Sequence, residues 1–393
     1  MNKLKQLIKE LCPNGIEYHE IGSVVNYEQP TKYIVNSTEY NDNYEIPVLT
    51  AGQTFILGYT DETDGIYNAS PNNSVIIFDD FTGAFKWVDF PFKVKSSAMK
   101  MLTADESIVS LRYIYHIMGN IGFTSSEHKR LWISIYSSFK IPVPPLEVQS
   151  EIVKILDNFT ELTAELTAEL TARQKQYVHY RDSLLSFGSD VPRIKIGEIT
   201  NVFSAARVHK DEWTKSGVPF WRSSDLISFF NGVDNNHGKA YISYELYEKL
   251  SAKSGKIKKG DVLVTGGGTI GIPYIVPNDE PMYVKDADLL DIQRNDKLNS
   301  SFLYHYFLST EFRKYLANIT HNATIAHYTI TQIKDTPVPV PPIEEQERIV
   351  SILDRFDKLC NDISEGLPAE IEARRKQYEY YRDKLLSFEE VKA

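Results

Sequence analysis

The glycine run Gly266-Gly-Gly-Thr-Ile-Gly271 satisfies the G-x-G-x-x-G pattern of a loop that cradles a pyrophosphate, and it follows the strand-like run Asp261-Val-Leu-Val-Thr265. That chemistry needs a helix to open directly after the loop, so that free backbone amides and the helix dipole meet the phosphates. Pro273 stands where the helix would begin, so a dinucleotide site is not expected. What remains is a tight loop offering amides to a nucleic-acid phosphate, or a plain turn. Asp79-Asp80 ends another strand-like run, a place where nuclease carboxylates sit, but no acid-x-Lys partner follows nearby. A surface turn or a base contact is the expected role. G-x-x-x-x-G-K-[ST], H-E-x-x-H, Cys-x-x-Cys and Asn/Asp-Pro-Pro-Tyr/Phe are all missing, so no catalytic centre is expected in this chain.

The elements that would position such loops come in two sets. Pro47-Val-Leu49, Ser74-Val-Ile-Ile-Phe78 and Phe92-Lys-Val-Lys95 read as strands, and Val218-Pro-Phe-Trp221, Asp261–Thr265 and Met282-Tyr-Val-Lys285 are their expected counterparts. Each set is followed by a helix-like aromatic segment, Arg112-Tyr-Ile-Tyr-His116 and Phe302-Leu-Tyr-His-Tyr306. Element order is shared while side chains differ. Two domains with one architecture and two ligands would produce that pattern.

The correspondence becomes explicit in a block that occurs twice. Ile141-Pro-Val-Pro-Pro-Leu-Glu-Val-Gln149 and Glu151-Ile-Val-Lys-Ile-Leu-Asp-Asn-Phe159 return as Val338-Pro-Val-Pro-Pro-Ile-Glu-Glu-Gln346 and Arg348-Ile-Val-Ser-Ile-Leu-Asp-Arg-Phe356, 197 positions later. A closing stretch, Ala172–Phe187, returns as Ala373–Phe388 and shares Lys-Gln-Tyr, Tyr-Arg-Asp and Leu-Leu-Ser-Phe. Such long matches imply internal duplication. The segments between them are each of ordinary single-domain size, about 140 to 150 residues. The expected division is 1–140, 141–187, 188–335 and 336–393, alternating globule and helical region. Phe187 leads through Val191–Gly197 into the second globule much as Gly15–Gly22 opens the first, as in a ring of two halves cut once.

Each repeat enters through Pro-Val-Pro-Pro, which continues neither helix nor ladder, and then shows apolar residues three or four apart. Ile152, Ile155, Phe159, Leu162, Leu166, Leu170, Tyr177, Tyr180 and Leu184 form one stripe; Ile349, Leu353, Phe356, Leu359, Ile363, Tyr378, Tyr381 and Leu385 form the other. Helices of roughly 35 to 40 residues are expected, about 50 to 60 Å long. They are natural mates for each other, antiparallel, as spacers between globules. Gly366 and Pro368 should break the second one. The first contains the consecutive tetrads Thr163-Ala-Glu-Leu166 and Thr167-Ala-Glu-Leu170, whose number is expected to set a distance. The fold class is therefore α+β (mixed): two similar α/β domains separated by two long helices packed as an antiparallel coiled coil, with a pseudo-twofold internal duplication.

With 393 residues and 42% hydrophobic content the chain can bury two cores. It has no run of eighteen apolar residues, and Met1–Glu10 mixes charge with apolar residues at helical spacing, so retention in the cytoplasm is expected. Cys12 and Cys360 lack partners at metal or disulfide-framework spacing. Formal charge is −10, and only 188–335 escapes the acidic bias, with 18 Lys and Arg to 17 Asp and Glu. Phosphate neutralisation supplies most non-specific affinity, so an acidic chain that meets DNA needs a basic partner to supply much of the grip.

The Pro-Val-Pro-Pro-[Leu/Ile]-Glu-x-Gln entry, the Ile-Val-x-Ile-Leu-Asp-x-Phe helix, the closing Arg-x-Lys-Gln-Tyr-x-x-Tyr-Arg-Asp-x-Leu-Leu-Ser-Phe and the Thr-Ala-Glu-Leu tetrads resemble the specificity subunit of type I restriction–modification systems. The four-part layout extends that resemblance over the whole chain. It implies that each globule is a target recognition domain reading one half of a bipartite site in double-stranded DNA. It implies that the helical regions set the gap and dock two modification (methyltransferase) subunits, with Ile152, Phe159, Leu162, Leu166, Leu170, Tyr177, Tyr180, Ile349, Phe356, Tyr378 and Tyr381 on the spacer stripes. Restriction (translocase/endonuclease) subunits complete such a complex. S-adenosylmethionine, ATP and Mg²⁺ are expected in the partner subunits and no cofactor here. The Gly366-Leu-Pro368 break is a departure, leaving the two helices unequal.

The resemblance does not transfer base-reading side chains, because recognition domains differ where specificities differ. The expected DNA-binding residues are polar ones beside matched strands: Thr50, Gln53, Thr82, Lys86, Lys95, Lys100, Lys129 and Arg130 in the first globule, and Arg222, Ser223, Ser224, Thr265, Thr269 and Lys285 in the second. Arg, Lys and Gln make bidentate or charged contacts to base edges, while Ser and Thr suit phosphates.

Overall fold

The computed structural model describes residues 2–52, 54–123, 130–230, 240–320, 326–362 and 364–390. They form two compact units, Met1–Glu165 with Glu372–Ala393, and Leu166–Ile371. Gln53, Lys129 and Ile363 lie outside the described residues.

In unit 1 the strands are β1 (Tyr18–Glu20), β2 (Val25–Glu28), β3 (Ile46–Leu49), β4 (Ile56–Thr60), β5 (Val75–Asp79), β6 (Phe85–Val88), β7 (Lys93–Val94), β8 (Met99–Ala104) and β9 (Lys140–Pro142). An antiparallel sheet runs β2-β8-β5-β6, and a second sheet runs β4-β3-β7 with β3 and β7 parallel. Strand period explains how the two pack. Ile76 and Phe78 of β5 face a core shared with helix Leu111–Ile121, while Val75 and Ile77 face Leu49 and Val94 of the second sheet. All four are fully buried, so both faces of β5 are covered.

Unit 2 repeats the arrangement with β10 (Arg193–Lys195), β11 (Val202–Ser204), β12 (Val218–Trp221), β13 (Ala240–Ile242), β14 (Val262–Thr265), β15 (Pro273–Ile275), β16 (Tyr283–Val284), β17 (Leu289–Ile292) and β18 (Pro337–Pro339). Its sheets run β11-β17-β14-β15 and β13-β12-β16, and β10 pairs with β18 as β1 pairs with β9. The strand correspondences read from the sequence, 47–49 with 218–221, 74–78 with 261–265 and 92–95 with 282–285, are those of β3 with β12, β5 with β14 and β7 with β16. Two adjoining core positions differ. Buried Lys100 of β8 stands where β17 has Leu290. In the registers of β5–β8 and β14–β17, Asp291 occupies the place of Met101.

The first repeat is one helix of 39 residues, Leu146–Leu184. The second is two, Ile343–Asn361 and Leu367–Leu385, divided where the sequence places Gly366. A Cβ on Gly366 would come within 2.6 Å of the carbonyl oxygens of Lys358 and Asp362, so only glycine closes that turn. Within unit 1 the ring of Phe159 stacks on Tyr381 at 5.3 Å; within unit 2 Tyr180 stacks on Phe356 at 5.4 Å. Each pair joins the first repeat to the second within its own unit. Ile152, Tyr177 and Ile349 are buried, Leu166, Leu170 and Tyr378 half-buried, and Leu162 and Tyr180 exposed.

Each globule is tied to the rods by matching polar clamps. Gln149, fully buried, accepts from the Ser110 amide at 2.8 Å and donates to the carbonyls of Pro144 and Ile108 at 2.7 and 3.0 Å. Gln346 accepts from the Asn299 amide at 2.8 Å and donates to Pro341 and Lys297 at 2.9 Å each. Ser110 and Asn299 are the N-caps of helices Leu111–Ile121 and Ser300–Leu308, so the motif glutamine holds the start of each globule helix. Those helices contribute His116 and His305, both fully buried. His116 lies 2.8 Å from Asp157 and 3.2 Å from the Tyr378 hydroxyl; His305 lies 2.7 Å from Asp354 and 3.0 Å from that of Tyr177. In unit 1 the chain end joins as well: the Ile16 amide donates to the Glu389 carbonyl at 3.0 Å and the Tyr18 hydroxyl to that of Phe388 at 2.9 Å. These contacts hold the segment after the second repeat against the opening of the first globule within unit 1.

Candidate nucleic-acid interface

The predicted residues gather at one end of the paired sheets in each unit. Thr50 follows β3 and Lys95 follows β7, and because these strands are parallel neighbours the Lys95 amide donates to the Leu49 carbonyl at 3.1 Å. Arg222 and Lys285 stand at the same places after β12 and β16, where the Lys285 amide donates to the Trp221 carbonyl at 2.8 Å. The β5–β6 and β14–β15 hairpins reach the same end. The turn after β7 touches the first hairpin, with the Asp80 amide donating to the Ala98 carbonyl at 2.8 Å. In unit 2 a Cβ on Gly268 would lie 3.8 Å from the Ser223 hydroxyl, bringing the second hairpin beside helix Ser223–Phe230.

The hairpin roots are built alike. Asp79 Oδ1 accepts from the amides of Phe81 and Thr82 at 2.9 Å each. At the matching position Thr265 donates its hydroxyl to the Thr269 carbonyl at 2.6 Å and accepts from the Ile272 amide at 2.8 Å. The next residue in each case is a backbone anchor: the carbonyl of Asp80 accepts from Leu131 at 2.7 Å, that of Gly266 from Tyr328 at 2.9 Å. A Cβ on Gly266 would meet the Ala287 and Tyr328 carbonyl oxygens at 2.6 and 2.8 Å, which requires glycine there. The glycine run is thus a hairpin connection between β14 and β15.

Several predicted residues keep a free face. Thr82, Lys95, Arg130, Ser224, Thr269 and Lys285 are exposed; Thr50, Lys86, Arg222 and Ser223 are half-buried. Lys95 sits over the Tyr40 ring at 5.9 Å, and Lys285 pairs with Asp288 at 2.7 Å. Arg222 grips Asp225 with Nε at 3.0 Å and Nη2 at 2.8 Å, so its fork is engaged within the protein. Two expectations are corrected. Lys100 is fully buried; its ammonium meets Asp80 at 3.2 Å and Gln29 at 3.0 Å, and it braces the hairpin from within. Thr265 is fully buried, its hydroxyl spent on the turn. Asp79 and Asp80 are likewise structural, since Asp80 also accepts from the Trp132 amide at 2.8 Å.

Sequence reasoning passed over Phe81, 40% exposed on the first hairpin tip, and the histidine clamps. The clamps had a signal: Tyr115-His116 and Tyr304-His305 share a dipeptide, while Asp157, Asp354, Tyr177 and Tyr378 stand at matched repeat positions.

Asp291 places a buried carboxyl group within the sheet core of unit 2. Burial, and then the charge of Asp261, push its carboxyl up to about 8, and its Oδ1 has no hydrogen-bond partner among the described residues. A cavity of about 10 Å³ beside it, lined by Phe203, Ser254 and Tyr283 among others, is the size of one water.

A family description, the type I restriction modification DNA specificity domain, matches residues 13–173 and again 189–373. The type I restriction enzyme EcoR124I/EcoR124II specificity subunit of Escherichia coli is 42% identical over 404 residues, covering 99% of this chain and 98% of that one. A putative type I restriction enzyme specificity subunit of Haemophilus influenzae is 33% identical, with 94% of each chain covered. In three dimensions the chain is similar to the type I restriction–modification S subunit from M. genitalium, with TM-score 0.62 at 14% identity over 95% of this chain and 96% of that one. A second solved chain, from a study of complex assembly in the type I system, gives TM-score 0.53 at 16% identity over 94% and 99%.

Proposed function

This chain belongs to the type I restriction modification DNA specificity family, and from that premise we propose that it reads a bipartite DNA site, one half with each unit. The observation that carries the reading is the contrast between frame and tips. Sheet order, clamps and hairpin roots match between the units, and Lys95 and Lys285 share one exposed place, while the hairpin tips differ, Phe81 against Gly268 and Thr269, as do Thr50 and Arg222 at the ends of β3 and β12. Two readers of different half-sites need that combination.

The helical repeats set the gap between half-sites and dock two methyltransferase subunits. Exposed Leu162, Tyr180, Leu359 and Tyr380 supply apolar surface for this, beside a chain whose net charge of −10 calls for a basic partner on DNA. The chain itself performs no catalysis. S-adenosylmethionine chemistry belongs to the methyltransferase subunits, and ATP with Mg²⁺ to restriction subunits. No described helix is long and apolar enough to cross a membrane.

The test exchanges 188–335 for the corresponding globule of another specificity subunit and sequences the DNA methylated by the assembled complex. One half of the recognised site should change and the other persist. A duplicated scaffold that binds only proteins would leave the methylated sequence untouched, and the complex would bind every DNA sequence equally.

A further inference from the structure

The β5–β6 and β14–β15 hairpins occupy equivalent places, yet their tips differ in kind. The second exposes Gly268 and Thr269, little more than backbone. The first exposes an aromatic ring, Phe81. That ring stands on a braced turn. Its own amide and that of Thr82 are held by Asp79 Oδ1, and the Gly83 amide donates to the Asp79 carbonyl at 2.9 Å. Gly83 has φ +73°, and a Cβ there would come 3.1 Å from the Tyr136 hydroxyl, so the turn is specific to glycine. The adjoining Asp80 is fastened by Leu131, Trp132 and buried Lys100. Arg130, exposed, directly precedes Leu131, so a cation and the ring flank the same Asp80–Leu131 hydrogen bond.

We propose that Phe81 is a wedge that enters DNA at one base step of the half-site read by unit 1, stacking on an unstacked base while Arg130 takes a flanking phosphate. Unit 2 reads its half-site without a wedge. The inference rests on the DNA-reading function proposed above. An aromatic face stacks on any base, and apolar side chains inserted between base pairs kink the duplex. A ring already fixed by its turn loses little freedom on insertion. Nucleic acid is the occupant because partner subunits that dock on both halves need matching surfaces, as the duplicated rods supply. The hairpin tips are where the halves diverge.

The test uses the full chain assembled with its methyltransferase subunits, and duplexes carrying 2-aminopurine at successive positions of the methylated site. The wild-type complex should raise fluorescence at one position of the first half-site beyond the methylated base. Phe81→Ala should abolish that signal and weaken specific binding by about 5- to 100-fold. Phe81→Trp should retain both. A signal that persists in Phe81→Ala, or an affinity that does not change, overturns the wedge. So does loss of subunit assembly in the absence of DNA, which would make Phe81 a protein contact. If the urea midpoint of Phe81→Ala falls, Phe81→Leu replaces it, and an intermediate signal is then expected. A wild-type complex with no sequence preference would instead sink the underlying function.

Discussion

Arg112 and Asp157 form an ion pair, Nε to Oδ1 at 2.9 Å, on the same oxygen that His116 holds at 2.8 Å. Unit 2 repeats the histidine clamp without this member. Aligning His116 with His305 puts Ser301 where Arg112 stands, and Asp354 is left 54% exposed against 37% for Asp157. One frame thus serves both units with unequal strength.

The inequality predicts unequal costs. Burial pushes the Asp157 carboxyl up, but the bond to His116 and the charge of Arg112 outweigh it and hold the group below the usual carboxylate range. A depressed acid contributes stability that is full above the unfolded value, near about 4, and is lost as pH falls through the folded one. Asp157→Asn should therefore cost about 1–2 kcal/mol at neutral pH, the carboxylate being partly screened by water, and Asp354→Asn less. Urea titration of both variants at neutral pH and at about pH 3 checks this; equal losses would remove Arg112 from the account.

Asp291 predicts the opposite sign. Its folded value is raised to about 8, whereas the unfolded chain ionises near pH 4. Between those values the unfolded state has released a proton that the folded state keeps, so stability declines as pH rises through that window and levels off above it. Asp291→Asn removes the penalty. Its unfolding free energy should exceed that of the wild type by more than about 1 kcal/mol near pH 8, with the gap closing toward pH 4. A gap independent of pH would assign the effect to packing.

Two lysines separate scaffold from reading surface. Lys95 is exposed beside the matched strand ends, so Lys95→Ala should leave the fold intact, weaken DNA binding across sequences and lower the salt slope by about 1. Lys100→Ala strands the buried Asp80 carboxylate and should cost about 3–5 kcal/mol in stability. Binding isotherms at several salt concentrations, alongside denaturation curves, read both. A Lys100→Ala protein as stable as wild type would show the pair to be dispensable.

These lysines also mark how far sequence reading goes. Equivalent strands such as β5 and β14 are legible because apolar runs and their order repeat, and the helix break is legible because glycine and proline announce it. Lys100 is not, since its burial depends on Asp80 arriving from the end of a neighbouring strand. Arg222 has the right type and place for a base contact, and only the structure reveals the grip of Asp225 three residues on. Phe81 was overlooked for a related reason: an aromatic next to a strand reads as core until the turn beneath it is seen to point it outward.

The tetrads give the most geometric prediction. Thr163–Leu166 lie inside the uninterrupted helix Leu146–Leu184, and the Thr163 hydroxyl bonds back to the Phe159 carbonyl at 2.8 Å, so the segment is regular helix that tolerates loss of a near-integral turn. Four residues contribute about 6 Å of rise and roughly 400° of rotation, 40° beyond one full turn. DNA rises about 3.4 Å per base pair, so the helix change amounts to between one and two base pairs. Deleting Thr163–Leu166 should shorten the gap in the methylated site by that amount and leave both half-site sequences as they were. Sequencing the methylated DNA reads gap and half-sites together. An unaltered gap would show that the rods do not measure distance, and altered half-sites would show that the deletion had disturbed the readers themselves.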